Sequence, residues 1–317
     1  MAPEIVFVGQ IARDLVLRVP SMPGAGRSAA VRSRRELLGG KGANQAVGCA
    51  QLGASVGLLG VVGDDAVAGA LLDQARADGV DVTPVVRRPG AETGLIVDAV
   101  DDDAGWHYLE HLPADVLLTE DDVAAAGPVL RAARAVVVQL QQPAGAALAA
   151  ARAAKDAGGL LVLDGAPGDL RDELLGLADV VRADAREAEL LTGVRLDDAA
   201  AAVRAGRELG SRHGVTLAAL GLAGGDAFVW ADDARVFPFV DTEVVDTTGA
   251  GDALVAGLTT VLCRGGGFAE AARLAVTASA ATVGHPGGRP DLDPERLRRF
   301  GPEVSGNADP EPTEEES

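Results

Sequence analysis

The stretch DTTGAGDA, Asp246 to Ala253, separates two glycines by one alanine and follows the second glycine directly with an aspartate. The stretch reads as the start of a helix. A helix N-terminus combines N–H groups that lack intrahelical partners with the positive end of the helix dipole, and together these bind anions. Because Gly249, Ala250 and Gly251 have little or no side chain, a phosphate oxygen can approach their amides closely. The stretch therefore predicts an anion-binding loop.

Asp252 would lie beside the bound anion, where its charge needs an explanation. A carboxylate has an ordinary pKa of about 4 and is ionised at neutral pH. It would repel a phosphate unless it takes a proton from the hydroxyl that attacks phosphorus, which predicts phosphoryl transfer with Asp252 as general base. A glycine turn closed by an acidic residue is the alternative, since aspartate is common in first helical turns. GxxxxGK[ST] and GxGxxG do not occur, which argues against a Walker-type NTPase and a dinucleotide dehydrogenase.

Strand-like and helical segments alternate along most of the chain. The strand-like runs are EIVFVG, SVGLLGVVG, AVVVQL, GLLVLD, ADVV and VTLAAL, and the helical segments that end on glycine are VAGALLDQARADG, PAGAALAAARAAKDAG and DDAAAAVRAGRELG. This alternation predicts an α/β fold in which helices cover both faces of a mostly parallel sheet. Residues 14–38 and 93–116 alternate like strands without helices between them, and they predict a small β-rich subdomain on the main sheet.

Composition limits the partners. The 317 residues carry a formal net charge of −19 and 48% hydrophobic residues, so a folded core is expected, whereas nucleic acid and anionic membranes are not expected partners. The start of the chain has no signal-peptide pattern and no apolar run reaches the length of a membrane span, so we expect a soluble cytoplasmic protein. Cys49 and Cys263 lie in helical settings and read as buried hydrophobic residues. Residues 301–317 contain six acidic and no basic residues and predict a disordered tail.

A second glycine-rich motif, GGKGANQA from Gly39 to Ala46, follows the first β-rich segment and opens into a helical segment. Together, the two motifs resemble the signatures of the ribokinase-like (PfkB) carbohydrate kinases, and ribokinases in particular. The resemblance covers about residues 4–300. It implies a three-layer sandwich with a β-rich lid formed by residues 14–38 and 93–116, homodimerisation through that lid, and transfer of the γ-phosphate of ATP to a sugar hydroxymethyl group with magnesium.

The resemblance also assigns roles to individual residues. It makes Asp252 the catalytic base and Gly249, Ala250 and Gly251 the anion hole. The positions that match the sugar site are Asp14, Gly40, Lys41, Gly42, Asn44, Gln141 and Asp252. Those that match the nucleotide site are Asp184, Glu187, Ala219, Gly221, Gly224 and Gly251. A monovalent-cation site, for which potassium is the expected ion, corresponds to Asp246, Thr248, Thr282, His285 and Gly287.

The chain departs from the ribokinase pattern at three positions. It has Ala12 where the family usually has asparagine, Gln141 where ribokinases have glutamate, and Asp184 where an asparagine faces the nucleotide. A pocket that lacks matched polar partners discriminates between substrates that differ in one hydroxyl. The acceptor therefore stays open. The alternatives are a nucleoside or sugar-phosphate kinase on the same fold and a non-catalytic metabolite-binding regulator.

Two further patterns have competing interpretations. HYLEH, His107 to His111, matches the HxxEH form of zinc peptidases, but that chemistry needs a helix. The alternation of residues 106–111 and the proline that follows favour a strand. Arg27, Arg32, Arg34, Arg35 and Lys41 form a basic run, which is either a solvated strand edge or a screen for an anionic substrate.

Overall fold

A computed structural model describes residues 2–102, 105–231, 233–240, 244–284 and 287–306; for Trp106 and residues 301–306 it describes the backbone alone. The strands are β1 Ile5–Val8, β2 Ala12–Arg18, β3 Ser33–Gly39, β4 Val56–Leu59, β5 Val61–Gly63, β6 Val80–Asp81, β7 Val86–Arg88, β8 Gly94–Val100, β9 Trp106–His111, β10 Ala135–Gln139, β11 Leu160–Asp164, β12 Val180–Ala183, β13 Leu217–Leu222, β14 Gly225–Trp230 and β15 Asp233–Pro238. The helices are α1 Lys41–Gln51, α2 Ala66–Ala77, α3 Glu120–Ala125, α4 Gly127–Ala132, α5 Ala144–Asp156, α6 Arg171–Leu175, α7 Ala185–Thr192, α8 Ala199–His213, α9 Ala250–Cys263, α10 Phe268–Thr282 and α11 Pro294–Gly306.

Nine strands form one large sheet in the order β15-β14-β13-β12-β11-β10-β1-β4-β6. Seven of them run parallel, from β13 to β6, while β14 pairs antiparallel with both β13 and β15. Successive residues of a strand point to opposite faces. In β1, for example, Ile5 and Phe7 pack into one core cluster, and Val6 and Val8 pack into the other. Helices cover both faces, so the predicted three-layer α/β fold is confirmed.

A separate four-stranded sheet, in the order β3-β2-β8-β9, is built from the two segments predicted to be β-rich. We call it the small sheet. β2 pairs antiparallel with β3 and parallel with β8, and β8 pairs antiparallel with β9. HYLEH lies in β9, so the strand interpretation is correct, and no group of His, Cys, Asp and Glu suited to a metal ion occurs in the described ranges.

Several element boundaries differ from the prediction. Helix α8 continues past Gly210 and ends at His213, because Gly214 adopts the left-handed conformation with φ of 80° that ends a helix. Strands β14 and β15 were not predicted. The last helix extends to Gly306, inside the segment assigned to the tail, and begins where the Asp293 carboxylate accepts N–H bonds from Glu295 and Arg296. Residues 307–317 lie outside the described residues, so the disordered tail stays a prediction.

The cysteines and the lengths of the helices bear on two further expectations. Cys49 and Cys263 are free and buried, as expected of small hydrophobic residues. None of the helices in the described ranges is long and apolar enough to cross a membrane.

Candidate active site

A cavity of about 460 Å³ lies between the carboxyl ends of the central strands and the inner face of the small sheet. Eleven residues that the sequence singled out line it: Asp14, Gly40, Lys41, Asn44, Asp184, Gly221, Thr248, Gly249, Ala250, Gly251 and Asp252. Nine of them come from the segments around α1 and α9, because both helices begin at this edge of the large sheet, and Asp184 and Gly221 come from the middle of the chain. Ligands of open α/β sheets bind at this edge.

Asp252 lies in the first turn of α9, as predicted, and is only 6% exposed. Its two carboxylate oxygens accept hydrogen bonds from the side-chain amides of α1, from Asn44 Nδ2 at 3.3 Å and from Gln45 Nε2 at 3.0 Å. Burial raises the pKa of Asp252 to about 6, and Lys41 limits the rise. At neutral pH the carboxylate is therefore mostly ionised, with a pKa nearer neutrality than that of an exposed aspartate.

A buried polar network connects Asp252 to a cation that the sequence analysis missed. Gln45 Nε2 also donates to Asp164 Oδ2 at 2.7 Å, and Asp164 Oδ1 accepts from Arg182 Nη1 at 3.0 Å. Burial acts to lower the pKa of Arg182, but the negative charges of Asp164 and Glu187 have the larger effect and raise it. The guanidinium therefore stays charged. Arg182 lines the cavity.

The loop before α9 has the geometry of a close backbone approach. Gly249 is the N-cap with φ of 76°, and a Cβ on it would lie 1.9 Å from the carbonyl oxygen of Gly288. A Cβ on Gly251 would lie 2.3 Å from Arg182 Nη2, so the guanidinium packs against this glycine. The amide of Ala250 donates to the carbonyl of Thr247 at 3.3 Å. The amides of Gly251 and Asp252 belong to the first helical turn, where N–H groups have no intrahelical acceptor.

Lys41 and Asp184 also line the cavity, and Glu187 lies beside both of them. Asp184 caps α7, with its carboxylate accepting from the Glu187 amide and the Glu187 carboxylate accepting in return from the Asp184 amide. Lys41 Nζ lies 3.5 Å from Glu187 Oε1. Burial works against the charge of Lys41, but Asp164 and Asp252 raise its pKa. Lys41 therefore places a second fixed positive charge beside the loop.

The residues assigned to a monovalent-cation site are only partly brought together. Asp246 is buried, and its carboxylate accepts from the amides of Thr248 at 2.9 Å and Gly287 at 2.8 Å, which ties two loops together. Thr282 donates to the Ala278 carbonyl at 3.0 Å within α10. A hydroxyl that bonds back to residue i−4 in its helix is a common local competitor of longer-range contacts. His285 lies outside the described residues.

Four other residues singled out by the sequence do not line the cavity. Gly42 packs against the backbone of Gly9, Ala219 is buried within β13, and Gly224 lies in the turn between β13 and β14. Gln141 is exposed beyond the end of β10. The cavity wall therefore carries no counterpart of the glutamate that ribokinases have at that position.

The basic run lies away from the cavity, apart from Lys41. Arg32 pairs with Asp102 at 2.7 Å, and Arg34 pairs with Glu36 within β3. Both arginine side chains are more than half exposed. This arrangement matches a solvated strand edge, and these two arginines do not screen the cavity.

The wall formed by the small sheet contains acidic and aromatic residues that were not predicted. Asp98 and Tyr108 line it, and the Tyr108 hydroxyl bonds to that of Thr248. Burial and the neighbouring Asp246 raise the pKa of Asp98 to about 7. Burial and the charges of Asp252 and Asp98 raise the pKa of Asp14 to about 7. One sequence signal was available, since Asp98 interrupts the otherwise apolar run GLIVDAV.

Two further residues, on and just after the antiparallel strands, line the cavity. Burial raises the pKa of Asp226, at the start of β14, to about 6. Phe239 follows β15 and is 63% exposed at the cavity. Both depend on the antiparallel strands that the sequence analysis did not find.

The sequence is similar to that of known carbohydrate kinases along nearly its whole length. The model of the pfkB family of carbohydrate kinases matches residues 2–295. The chain is 30% identical over 285 residues to ribokinase from Haemophilus influenzae, covering 89% of this chain and 93% of that protein. It is 32% identical over 298 residues to an ATP-dependent ribose-1-phosphate kinase from Halopiger xanaduensis, covering 90% and 94%.

A solved structure of a ribokinase has the same fold as this chain. Ribokinase from Arabidopsis thaliana, solved with ribose and ATP, superposes with a TM-score of 0.78 at 26% identity, covering 95% of this chain and 99% of that one. The family match spans nearly the whole described chain, including both glycine-rich loops and the small sheet. The chain belongs to the pfkB family of carbohydrate kinases and is a sugar kinase.

Proposed function

We propose that this sugar kinase transfers the γ-phosphoryl group of ATP to a hydroxymethyl group of a sugar or sugar-like acceptor, with Asp252 as the general base. The position of Asp252 carries the proposal. A buried carboxylate lies in the first turn of α9, directly after a glycine loop whose residues line the cavity. A carboxylate in that position would repel phosphate unless it accepts the proton of the attacking hydroxyl.

The anion hole is proposed to consist of the amides of residues 249–251 together with the positive end of α9. Phosphoryl transfer is catalysed mainly by positioning and by donors that meet the charge of the transferred group. Arg182 and Lys41 place two cations beside this loop. Both are charge-balanced by Asp164 and Glu187, which keeps them fixed in place in the absence of ligand. They are proposed to contact the nucleotide phosphates.

The proposed cofactors fit the residues present. Exposed Phe239 and the apolar side chain of Leu222 offer a surface for a nucleotide base. The ranges described contain no cluster of three protein ligands for a metal ion. This suits Mg²⁺, which commonly binds through one or two carboxylates and the substrate phosphates, and which neutralises their charge during transfer. Potassium is proposed to bind near buried Asp246, which holds the loop before α9.

The acceptor end of the cavity favours a substrate without a phosphate group. Asp14, Asp98 and Glu110 line that end, and two of the arginines that were candidates to screen an anion, Arg32 and Arg34, are paired away from the cavity. Membership in a kinase family favours catalysis over the alternative of a metabolite-binding regulator. A cytoplasmic location stays a prediction.

The test of the proposed function is ADP release by the purified protein with ATP and Mg²⁺, with and without K⁺. The acceptor panel contains free sugars, amino sugars, nucleosides and sugar phosphates, including ribose 1-phosphate. We expect turnover on at least one unphosphorylated acceptor, a requirement for Mg²⁺ and faster turnover with K⁺. Turnover on sugar phosphates alone would overturn the proposed acceptor class, and bound ATP without any transfer would overturn the kinase proposal.

The small sheet is also proposed to form a homodimer through its outer face. Leu15, Val97 and Leu109 lie opposite one another on three adjacent strands and form an apolar row on that face. Leu109 is 69% exposed, and an exposed apolar row across a sheet commonly marks a protein contact.

Replacing Leu109 with lysine is expected to convert a dimer into a monomer, because a charge would enter the centre of the apolar row. Size-exclusion chromatography with light scattering measures the change. Leu190→Lys is the matched control, since Leu190 is 67% exposed on α7, away from the small sheet. A monomeric wild-type protein, or an unchanged dimer in Leu109→Lys, would contradict the proposed interface.

A further inference from the structure

The inner face of the small sheet carries three carboxylates around one isoleucine. Strand register aligns Asp14, Ile96 and Glu110 in one row across β2, β8 and β9. The adjacent row contains Val16, Asp98 and Tyr108. All six line the cavity. Asp98 is therefore the diagonal neighbour of both Asp14 and Glu110 on the same face.

Asp98 is the unusual member of this face. It is 3% exposed, and both of its carboxylate oxygens lack a hydrogen-bond donor among the described residues. Oδ1 of Asp14, which is 8% exposed, lacks a donor as well. Buried polar groups in proteins are nearly always hydrogen-bonded, because leaving one unsatisfied is costly. Both residues line the cavity, and the carboxyl of Asp98 lies beside that of buried Asp246, so a ligand group that brings hydrogen-bond donors is the expected partner.

Among the described residues that line the cavity, none supplies a cation to these carboxylates. The basic residues among those that line the cavity are Lys41 and Arg182, and both are paired at the anion-binding loop, with Glu187 and Asp164 respectively. Arg35 lies on the same face of the small sheet, but it is exposed on β3, opposite Val16, and does not line the cavity. The acceptor end of the cavity therefore holds several carboxyl groups without a balancing cation among these lining residues, and a positive charge placed there would favour their ionised form.

We propose that the acceptor of this kinase carries a protonated amino group, which Asp98 binds together with Asp14 and Glu110. The acceptor class is an amino sugar or an amino-substituted polyol. The inference rests on the proposed phosphotransfer to a hydroxymethyl group, and it places the amino group at the end of the acceptor remote from that hydroxyl.

The geometry distinguishes an ammonium group from other ligand groups. An ammonium has three N–H donors and a positive charge, whereas a hydroxyl has one donor and no charge. Diagonal neighbours on a sheet face are about 7 Å apart, so one nitrogen at hydrogen-bond distance from both carboxylates fits between them. A phosphate in the same place would be repelled by three carboxylates. Ile96 lies between them and can contact the carbon skeleton beside the amine.

The test compares matched pairs of acceptors: glucose with glucosamine, galactose with galactosamine, and ribose with 3-amino-3-deoxyribose. We expect kcat/KM to favour the amino member of at least one pair by about 30-fold or more, since a buried charge pair contributes that much discrimination. Asp98→Asn is expected to remove this preference, because kcat/KM for the amino member should fall by about 30-fold more than that for the neutral member. Glu110→Gln should weaken the preference without a risk of unfolding, because Glu110 is at the exposed rim.

Glu92→Gln is the matched control, since Glu92 is exposed just before β8 and does not line the cavity. Equal turnover of neutral and amino acceptors, unaffected by Asp98→Asn, would overturn the inference and leave the kinase proposal intact. If Asp98→Asn abolishes activation by K⁺ and leaves the acceptor preference unchanged, Asp98 binds a free cation and the inference is wrong.

Calorimetric titration with the same acceptors separates this inference from the proposed function. Binding of the amino acceptor that is lost in Asp98→Asn, without any phosphotransfer, would support the amine site and overturn the kinase proposal. Turnover of neutral acceptors together with failure of every amino acceptor to bind would overturn the amine site alone. If no acceptor of either kind binds or turns over, both proposals are wrong.

Discussion

Replacing Asp252 with asparagine is expected to lower kcat by about 10³-fold or more, because an amide cannot take the proton of the attacking hydroxyl. The substitution keeps the size of the side chain and one hydrogen-bond acceptor for Asn44 or Gln45. ATP should therefore bind the variant with nearly unchanged affinity. Single-turnover transfer and equilibrium nucleotide binding measure the two quantities separately.

The pH dependence of kcat provides a second readout of the same role. Burial raises the pKa of Asp252 to about 6, and a general base acts in its ionised form. The wild-type rate should consequently rise with pH up to about 6 and then level off, and the residual activity of Asp252→Asn should lack this limb. The opposite sign, a rate that falls as pH rises through 6, would mean that the carboxyl acts as an acid.

Folding is not expected to explain the loss. A carboxyl whose folded-state pKa is raised stabilises the protein at low pH, and that contribution is lost as pH rises through the folded pKa. At neutral pH the ionised, buried Asp252 therefore lowers the stability of the folded protein, and asparagine removes this destabilisation. Asp73→Asn is the matched surface control, since Asp73 is exposed on α2. More than a tenth of wild-type turnover in a well-folded Asp252→Asn protein would refute the assigned base.

Local patterns predicted the parts of the site that a single segment encodes. The glycines at 249 and 251 and the aspartate after them specify a helix N-terminus with an acidic first turn, and the structure has both. GGKGANQA likewise lies at the start of a helix, although α1 begins at Lys41, earlier than the segment that read as helical. Strand alternation was sufficient to predict the small sheet, because its two segments contain no helical spacing.

Residues whose roles depend on distant segments could not be predicted in this way. Gln45 lies inside a motif that the sequence analysis quoted, yet its contact with Asp252 joins residues 207 positions apart. Asp98 reads as one polar residue in an apolar strand, and only the register with β2 and β9 places it near Asp14 and Glu110. Strand β15 is mostly half-buried and β14 carries Asp226 among its apolar residues, so neither strand has the continuous apolar run that marks the central strands.

Replacing Arg182 with glutamine is expected to lower kcat by about 100-fold, the usual effect of removing one donor from a transition-state charge. The guanidinium packs against Gly251 and lines the cavity, so it is positioned to meet the transferred phosphoryl group. Acceptor KM should change little, because the carboxylates of the small sheet lie at the other end of the cavity. Steady-state kinetics with both substrates varied measures this separation.

A purely structural role for Arg182 makes a different prediction, because removing it leaves Asp164 buried without its charge partner. Arg182→Lys keeps a positive charge for Asp164, so it should restore the melting temperature that Arg182→Gln lowers. Its kcat should stay well below that of the wild type, since lysine lacks the planar fork of donors that arginine offers to phosphate. Arg186→Gln, exposed two residues into α7, is the matched control and should have wild-type kinetics. Full recovery of kcat in Arg182→Lys would mean that no phosphate contact requires the guanidinium. The role of Arg182 would then be to hold Asp164 and Gln45 in place, and through them to position Asp252.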